Sequence, residues 1–248
     1  MHDWLQTPAG RYLLDWERAQ LDACVADIFG YHALQLGVPE LDGLCANRMP
    51  HRWVATQAMD APQDLPVAAA VLCDFSALPF PAASLDLVLL PHTLEFSIDP
   101  HATLREVERV LVPEGRVVIC GFNPTSLWGL AQRRGHLYRR LGFGRLFLPD
   151  GGEFLGYWRL RDWLRLLGFE VETGEFGCYR PGVTSERWLR RFEWMDRAGA
   201  RWWPILGAAY FLVAVKRVRG VRLMEPAWKA APASVRKSVS VANRSHDG

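Results

Sequence analysis

The chain has 248 residues, of which 50% are hydrophobic and 23% are charged, so the composition favours one sizeable globular core. The longest apolar run near the C-terminus, Pro204 to Val215, is too short for a membrane-spanning helix, and the first residues lack the pattern of a secretory signal. The five cysteines are odd in number and lack metal-ligand spacing. We therefore expect reduced thiols and a cytoplasmic protein.

The net charge is only +2, but its distribution is uneven. Residues 1–130 contain seven Lys/Arg against sixteen Asp/Glu, and residues 131–248 contain twenty-two against eleven. Such an asymmetry is compatible with an anionic partner, such as nucleic acid or a phospholipid surface. It is equally compatible with a solvated basic face followed by a basic tail.

Residues 1–30 are predicted to form an entry helix. Thr7-Pro8 suits a helix start, and Gly30 stands where a C-terminal cap is expected. The apolar stripe consists of Leu13, Trp16, Leu21, Cys24, Val25 and Ile28. Arg11 and Tyr12 of this helix could reach the carboxylate of a ligand.

The middle of the chain predicts a strand, a crossover helix and a parallel strand. Residues 85–90 are a nearly continuous apolar run, as in a strand buried on both faces. Asp99-Pro100 starts a helix, and 113–115, Pro-Glu-Gly, ends it. Residues 116–120 give the second buried strand, so an α/β sheet follows.

The same region carries a family resemblance. The motifs are Leu78-Pro-Phe80, Ser84-Leu-Asp-Leu-Val88, His92-Thr-Leu-Glu95, Asp99-Pro100 and Arg109-Val-Leu-Val-Pro-Glu-Gly115. Together they resemble the middle of a class I S-adenosylmethionine (SAM)-dependent methyltransferase. The resemblance implies a Rossmann-like, mostly parallel sheet with helices on both faces. It also implies an antiparallel last strand at 209–215, at the edge of the sheet.

The resemblance implies SAM as the cofactor, and it places the first contacts at the turn after the first strand. Gln35, Gly37 and Val38 occupy this turn, which in the family is glycine-rich and leads into a helix whose N-terminus offers amide hydrogens. Here Pro39 and Leu41 stand where two of the glycines are expected. Gln57 stands near the position of the acid that binds the ribose hydroxyls.

Two further strand ends complete the expected pocket. Asp74-Phe75 matches the family's acid that accepts a hydrogen bond from the adenine amino group and the residue against the ring. Leu90 and Pro91 end the next strand beside the cofactor, and His92 and Glu95 follow as the candidate catalytic residues. His92 could act as a general base toward the acceptor, or it could only hydrogen-bond the loop.

The second half of the chain is rich in arginine and aromatic residues. A segment at about 124–158 is expected to be an insertion over the SAM pocket. Four tryptophans lie among arginines and are expected to be part of a core helix across the active-site face: Trp188, Trp194, Trp202 and Trp203. The expected domains are the helix at 1–30, an α/β domain at 31–218 and a basic, disordered tail at 219–248.

The leading functional hypothesis is a SAM-dependent methyltransferase acting on a small-molecule or anionic substrate. A second hypothesis is a non-catalytic, methyltransferase-like binding or scaffold protein with weak SAM affinity. A third is an RNA- or lipid-surface-associated protein that uses the basic C-terminal half. Fold alone does not choose among them, because one fold hosts many chemistries.

Overall fold

A seven-stranded sheet forms the centre of the computed structural model, which describes residues 1–57, 70–140, 146–149 and 152–217. The strands are β1 (His32–Leu36), β2 (His51–Thr56), β3 (Ala70–Leu72), β4 (Leu85–Pro91), β5 (Leu111–Phe122), β6 (Phe169–Gly177) and β7 (Ala209–Lys216). The helices are α1 (His2–Leu5), α2 (Pro8–Val25), α3 (Thr93–Phe96), α4 (Pro100–Val110), α5 (Leu127–Arg140), α6 (Tyr157–Leu166), α7 (Glu186–Arg191) and α8 (Trp194–Trp202). A 3-10 turn at Pro204–Leu206 precedes β7.

The strand order is β3-β2-β1-β4-β5-β7-β6. Strands β1 to β5 are parallel, and β7 runs antiparallel to both β5 and β6. The expected Rossmann-like fold with an antiparallel last strand is therefore confirmed. The expectation that this strand lies at the edge is wrong, because β7 is inserted between β5 and β6.

Alternating side chains of the strands supply two apolar layers. Leu34, Val88 and Leu90 face a layer that contains Leu104 of α4 and Leu160 of α6. Ala33, Leu87 and Leu89 face the opposite layer, which contains Leu21 and Val25 of α2. Helices therefore cover both faces of the sheet, which explains why β4 is apolar throughout.

The unit β4-α4-β5 follows the sequence signals closely. The Asp99 side chain accepts a hydrogen bond from the Ala102 amide at 2.9 Å, so Asp99 is the N-cap of α4. Leu104 and Val107 are completely buried against the sheet. Strands β4 and β5 pair in parallel over Leu87–Pro91 and Arg116–Cys120.

The connection from β1 to β2 departs from the family pattern, since residues 38–50 contain turns and no helix. Within residues 38–50, no helix N-terminus therefore presents amide hydrogens at Gly37. Instead the fully buried Gln35 donates from Nε2 to the carbonyl oxygens of Gly37, Val38 and Leu41, at 3.2, 3.0 and 2.6 Å. Its Oε1 accepts from the Gly43 amide at 3.0 Å. Carbonyl groups that point inward need a donor, so an amide rather than a carboxylate fits this position.

The tryptophans expected in the core are largely exposed, so that expectation is wrong. Their exposed fractions are 52% for Trp188, 56% for Trp194, 73% for Trp202 and 38% for Trp203. The buried contacts of this region are made by other side chains, including Leu189, and by Gly199, whose Cα packs against the Tyr179 ring.

Some expectations concern residues that the structure does not describe. The tail expected at 219–248 lies outside the described residues, as do residues 58–69. The segment at 124–158 is described except for residues 141–145 and 150–151, and it begins with α5. Among the described residues, no helix is long and apolar enough to cross a membrane.

Replacing Gln35 by Glu is expected to destabilise the protein by roughly 2–5 kcal/mol, because a carboxylate would face three carbonyl oxygens in a dry site. Urea unfolding of the variant measures this change. Gln57→Glu, at the exposed end of β2, is the matched control and should leave the free energy of unfolding within about 0.5 kcal/mol of wild type. Equal stability of the two variants would contradict the role of the Gln35 amide.

Candidate functional site

Three buried ionisable side chains meet where β4 and β5 end. His92 Nε2 lies 2.7 Å from Glu17 Oε1, and His92 Nδ1 lies 2.8 Å from Glu95 Oε2. All three side chains are essentially inaccessible to solvent. Glu95 Oε1 also accepts a hydrogen bond from the Phe122 amide, at the end of β5. The cluster therefore joins α2, the β4-α3 turn and β5.

Glu17 was not singled out in the sequence, although a local signal exists. It lies four residues from both Leu13 and Leu21 on α2, so a carboxylate stands in the apolar stripe. A helix places such residues on one face, and the buried face of α2 points at the sheet. Glu17 Oε2 is buried without a hydrogen-bond partner among the described residues. Glu17 therefore differs from an acid whose two oxygens are both satisfied, since only its Oε1 has a partner in the described part of the chain.

The electrostatics of the cluster favour a charged imidazole. Burial lowers the pKa of His92, but the carboxylates of Glu17 and Glu95 outweigh it and raise the pKa to about 10. Burial raises the pKa of Glu95, and this is opposed by His92 and by the Phe122 amide. His92 thus carries both ring protons at neutral pH and donates one to each carboxylate.

Both ring nitrogens of His92 are engaged by carboxylates in this arrangement, so a general-base role would require the ring to lose one of these contacts. The backbone of His92 has φ of 50°, in the left-handed region, and its amide donates to the Cys120 carbonyl oxygen at 2.9 Å. His92 and Glu95 therefore join the ends of β4 and β5 through their own hydrogen bonds, and their catalytic role stays a prediction.

The turn after β1 lies beside this cluster. Gly37 has φ of 77° and Val38 has φ of 39°. An added Cβ at Gly37 would lie 3.4 Å from Thr93 Oγ1 and 3.8 Å from the Phe75 ring, so three strand ends converge here. Thr93 Oγ1 also donates to the Leu36 carbonyl oxygen. Leu90 and Pro91 are both buried directly before His92, so their side chains contribute to packing.

The residues expected on the adenosine side are exposed, apart from one ring. The Asp74 carboxylate is exposed, and its Oδ1 accepts from the Ser76 amide and hydroxyl, both at 2.8 Å. These two hydrogen bonds lower the pKa of Asp74. Gln57 is also exposed, whereas the Phe75 ring is buried near Gly37. An ionised acceptor therefore stands at the end of β3, next to an aromatic ring and a glycine turn.

A cavity of about 580 Å³ lies between α2 and the segment 180–190. Its lining residues are Pro8, Arg11, Tyr12, Asp15, Trp16, Arg180, Glu186, Leu189 and Arg190. Trp16 is in contact with Gly177, at the end of β6. Gly177 pairs with Ala209 at the start of β7, and Ala209 in turn pairs with Phe122 at the end of β5. The cavity thus shares α2 with the buried cluster, because Trp16 lines the cavity and the next residue, Glu17, contacts His92.

Arg180 is the most firmly held cation of the cavity. Its Nε donates to Asp196 Oδ2 at 2.8 Å, and its guanidinium lies 4.4 Å from the centre of the Tyr12 ring. Tyr12 Oη donates to the other oxygen of Asp196. Nη2 of Arg180 and the whole Arg11 guanidinium make no hydrogen bond within the described part of the chain. The cavity therefore offers the N–H donors of Arg11 and Arg180 to a ligand. Those of Arg180 are held in one direction by Asp196 and Tyr12.

Comparison with known proteins agrees with the fold. Residues 47–119 match the family model described as a methyltransferase domain. The chain is 34% identical over 168 residues to the uncharacterized protein YafS of Escherichia coli (strain K12), covering 68% of this chain and 65% of YafS. It is 40% identical over 57 residues to the malonyl-[acyl-carrier protein] O-methyltransferase of Halorhodospira halophila, covering 23% of this chain and 19% of that protein. The chain thus spans less than two thirds of either relative.

A solved structure from Thermotoga maritima, of a SAM-dependent methyltransferase described as a possible histamine N-methyltransferase, superposes with a TM-score of 0.60. The superposition covers 87% of this chain and 94% of the other at 14% identity. At that identity the likeness establishes the fold. The chain therefore has the class I SAM-dependent methyltransferase fold, and the family resemblance of its central motifs is confirmed.

The buried cluster predicts an alkaline loss of stability. The unfolded imidazole titrates near 6.5 and the folded one near 10, so the folded chain holds an extra proton between these values. The free energy of unfolding should then fall as pH rises through this window, by up to about 1.4 kcal/mol per pH unit. Urea unfolding between pH 6.5 and 10 measures the slope.

Glu17→Gln provides the matched comparison, because it removes one of the two carboxylates that raise the pKa of His92. The decline should then end at a lower pH than in wild type. Ring nitrogen shifts of His92 in labelled protein give an independent reading of the same titration. A His92 ring that loses its proton near pH 6.5 in wild type would refute the doubly donating imidazole.

Proposed function

We propose that this protein is a SAM-dependent methyltransferase. The observation that carries the proposal is the convergence of Gly37, Phe75 and the exposed, ionised Asp74 at the carboxyl edge of a class I methyltransferase sheet. In open α/β sheets, ligands bind outside the carboxyl ends of the strands. The proposed contacts on the adenosine side are Asp74, Phe75 and Gln57.

The residues present fit the adenosine half of SAM better than its methionine half. Both hydrogen bonds from Ser76 are accepted by Oδ1 of Asp74, so its Oδ2 could accept a hydrogen bond from the adenine amino group. On the methionine side, Gly37 leaves room for close approach, but no helix follows within residues 38–50. The turn is backed by the buried Glu17–His92–Glu95 cluster, which holds the sheet edge beside it.

SAM, when bound, supplies an electrophilic methyl group. The chain's own contribution is to position the acceptor and to exclude water, because methyl transfer to a good nucleophile depends chiefly on orientation. Rigid elements perform this task here: Glu17 and Glu95 fix α2 and β5 on the same imidazole. A general-base role of His92 toward the acceptor would require its ring to lose one of the two carboxylate contacts.

The cavity beside α2 is the proposed acceptor site. Arg11, Arg180 and Arg190 outnumber Asp15 and Glu186 among its lining charges. Glu186 and Arg190 pair at 3.3 Å, with exposed fractions of 60% and 72%, so their attraction is weakened by water. This balance favours an acceptor with a carboxylate or phosphate group. We propose that the reaction takes place in the cytoplasm, where SAM and reduced thiols are found.

A non-catalytic, methyltransferase-like binding protein is the second candidate. The helixless connection at 38–50 favours it, because the usual amide donors to the SAM carboxylate are missing. The two candidates differ in whether SAM binds and in whether an anionic molecule is then methylated.

Titration with S-adenosylhomocysteine separates these candidates. Wild-type protein should release or absorb measurable heat, and Asp74→Asn should bind at least about tenfold more weakly because an amide NH₂ cannot accept the adenine hydrogen bond. Asn keeps an oxygen for Ser76, so the loop should remain folded. Asp162→Ala, an exposed acid on α6, is the control and should bind like wild type. No heat and no thermal shift at saturating ligand would favour the non-catalytic protein.

The acceptor site is tested with inorganic phosphate and with succinate as anionic compounds, by calorimetry on the protein saturated with S-adenosylhomocysteine. Arg11→Gln should weaken binding by roughly tenfold, since it removes a charge-assisted donor. Arg48→Gln makes the same charge change on an exposed residue outside the cavity and should have no effect. Equal affinities of the two variants would rule out Arg11 as an anion ligand.

A further inference from the structure

An exposed apolar protrusion spans the end of α8 and the 3-10 turn before β7. Every residue from 200 to 206, Ala-Arg-Trp-Trp-Pro-Ile-Leu, is exposed. The exposed fractions reach 73% for Trp202, 54% for Ile205 and 42% for Leu206. Single exposed apolar residues are ordinary, but consecutive Trp, Trp, Pro, Ile and Leu on one loop are not.

The backbone beneath these side chains is held firmly. Asn123 Nδ2 donates to the carbonyl oxygens of Ile205 and Gly207, at 2.8 and 2.9 Å. The Tyr179 hydroxyl donates to the Pro204 carbonyl oxygen at 2.7 Å. Polar groups of the loop are thus satisfied by the protein, while its apolar side chains are left to solvent. This is the reverse of an ordinary surface loop, in which polar side chains meet water.

The apolar surface continues onto α5. Leu206 lines a smaller cavity together with Leu127, Leu130 and Arg133 of that helix. Leu127 and Leu130 are 47% and 54% exposed. The protrusion and the first turns of α5 therefore form one surface, which we call the apolar edge.

The charges around the apolar edge are mostly positive. Arg197 and Arg201 on α8 are exposed, as are Arg133 and Arg134 on α5. The sequence of α5, residues 127–140, contains four arginines and no acid. Tryptophan with aliphatic residues and arginine is the combination that suits the interface of an anionic bilayer, where indoles lie at headgroup depth and arginines meet phosphates.

We propose that the apolar edge docks on an anionic phospholipid surface. Trp202, Trp203 and Ile205 would enter the interfacial region. The lipid phosphates would be contacted by the exposed arginines of the two helices, Arg133, Arg134, Arg197 and Arg201. Asn123, which holds the protrusion, follows β5 directly, and the Phe122 amide bonds to Glu95. Docking would therefore place the sheet edge that carries the candidate site close to the membrane. The docking itself does not depend on methyltransferase activity.

Flotation of the full chain with lipid vesicles tests the proposal. Wild-type protein should float with phosphatidylcholine vesicles that contain phosphatidylglycerol, and much less with phosphatidylcholine alone. Trp202→Ser/Trp203→Ser should lower the apparent affinity by at least about tenfold. Trp158→Ser, which removes a 58% exposed tryptophan of α6, should leave binding unchanged. Circular dichroism of each variant verifies that the fold is retained.

The charge contribution is tested separately. Arg197→Gln/Arg201→Gln should weaken binding to the phosphatidylglycerol vesicles, whereas Arg161→Gln/Arg165→Gln on α6 should not. Binding that ignores the tryptophan substitutions and follows overall charge alone would overturn the proposal. So would a failure to bind anionic vesicles at low salt. A tryptophan-dependent dimer without vesicle binding would assign the edge to a second copy of the chain and would equally overturn it.

Discussion

The imidazolium of His92 between two buried carboxylates is the constraint on which the site depends. Glu17 comes from the N-terminal helix, His92 from the turn after β4, and Glu95 also bonds to the end of β5. Removing His92 from such a buried set would leave two carboxylates without their partner, which costs about 3–5 kcal/mol. The N-terminal helix and the sheet edge are therefore joined by a polar cluster as well as by apolar packing. Such a cluster fixes how α2 is placed against the ends of β4 and β5, rather than adding net stability.

Much of the fold was predictable because its signals are local. The unit β4-α4-β5 is indicated by an apolar run, an N-cap aspartate and a helical spacing of leucine and valine, all within about forty residues. The position of β7 between β5 and β6 was not predictable from its own residues, since a strand buried in the middle of a sheet and one at its edge can carry the same apolar run. The methyltransferase motifs supplied the sheet order in part, but not this detail.

The candidate site was harder to predict than the fold. Asp74 and Gly37 were predicted as site residues because they lie at motif positions, and this assignment stays a prediction. Glu17 was missed because its partner His92 is 75 residues away, and an acid in a helix is normally assumed to face water. The exposed tryptophans were misjudged for the opposite reason, because tryptophan is usually buried. In both cases a general preference for burial or exposure was overridden by contacts that only the folded chain reveals.

The firm backbone beneath Trp202 and Trp203 has a thermodynamic consequence for anything that binds there. A flexible loop loses conformational entropy when it becomes ordered on a partner, at about 1–2 kcal/mol for each residue whose backbone is fixed. Here Asn123 and Tyr179 have already fixed the loop during folding. The backbone entropy loss therefore belongs to folding and not to association, so burial of the two indole rings is not offset by the cost of ordering this backbone.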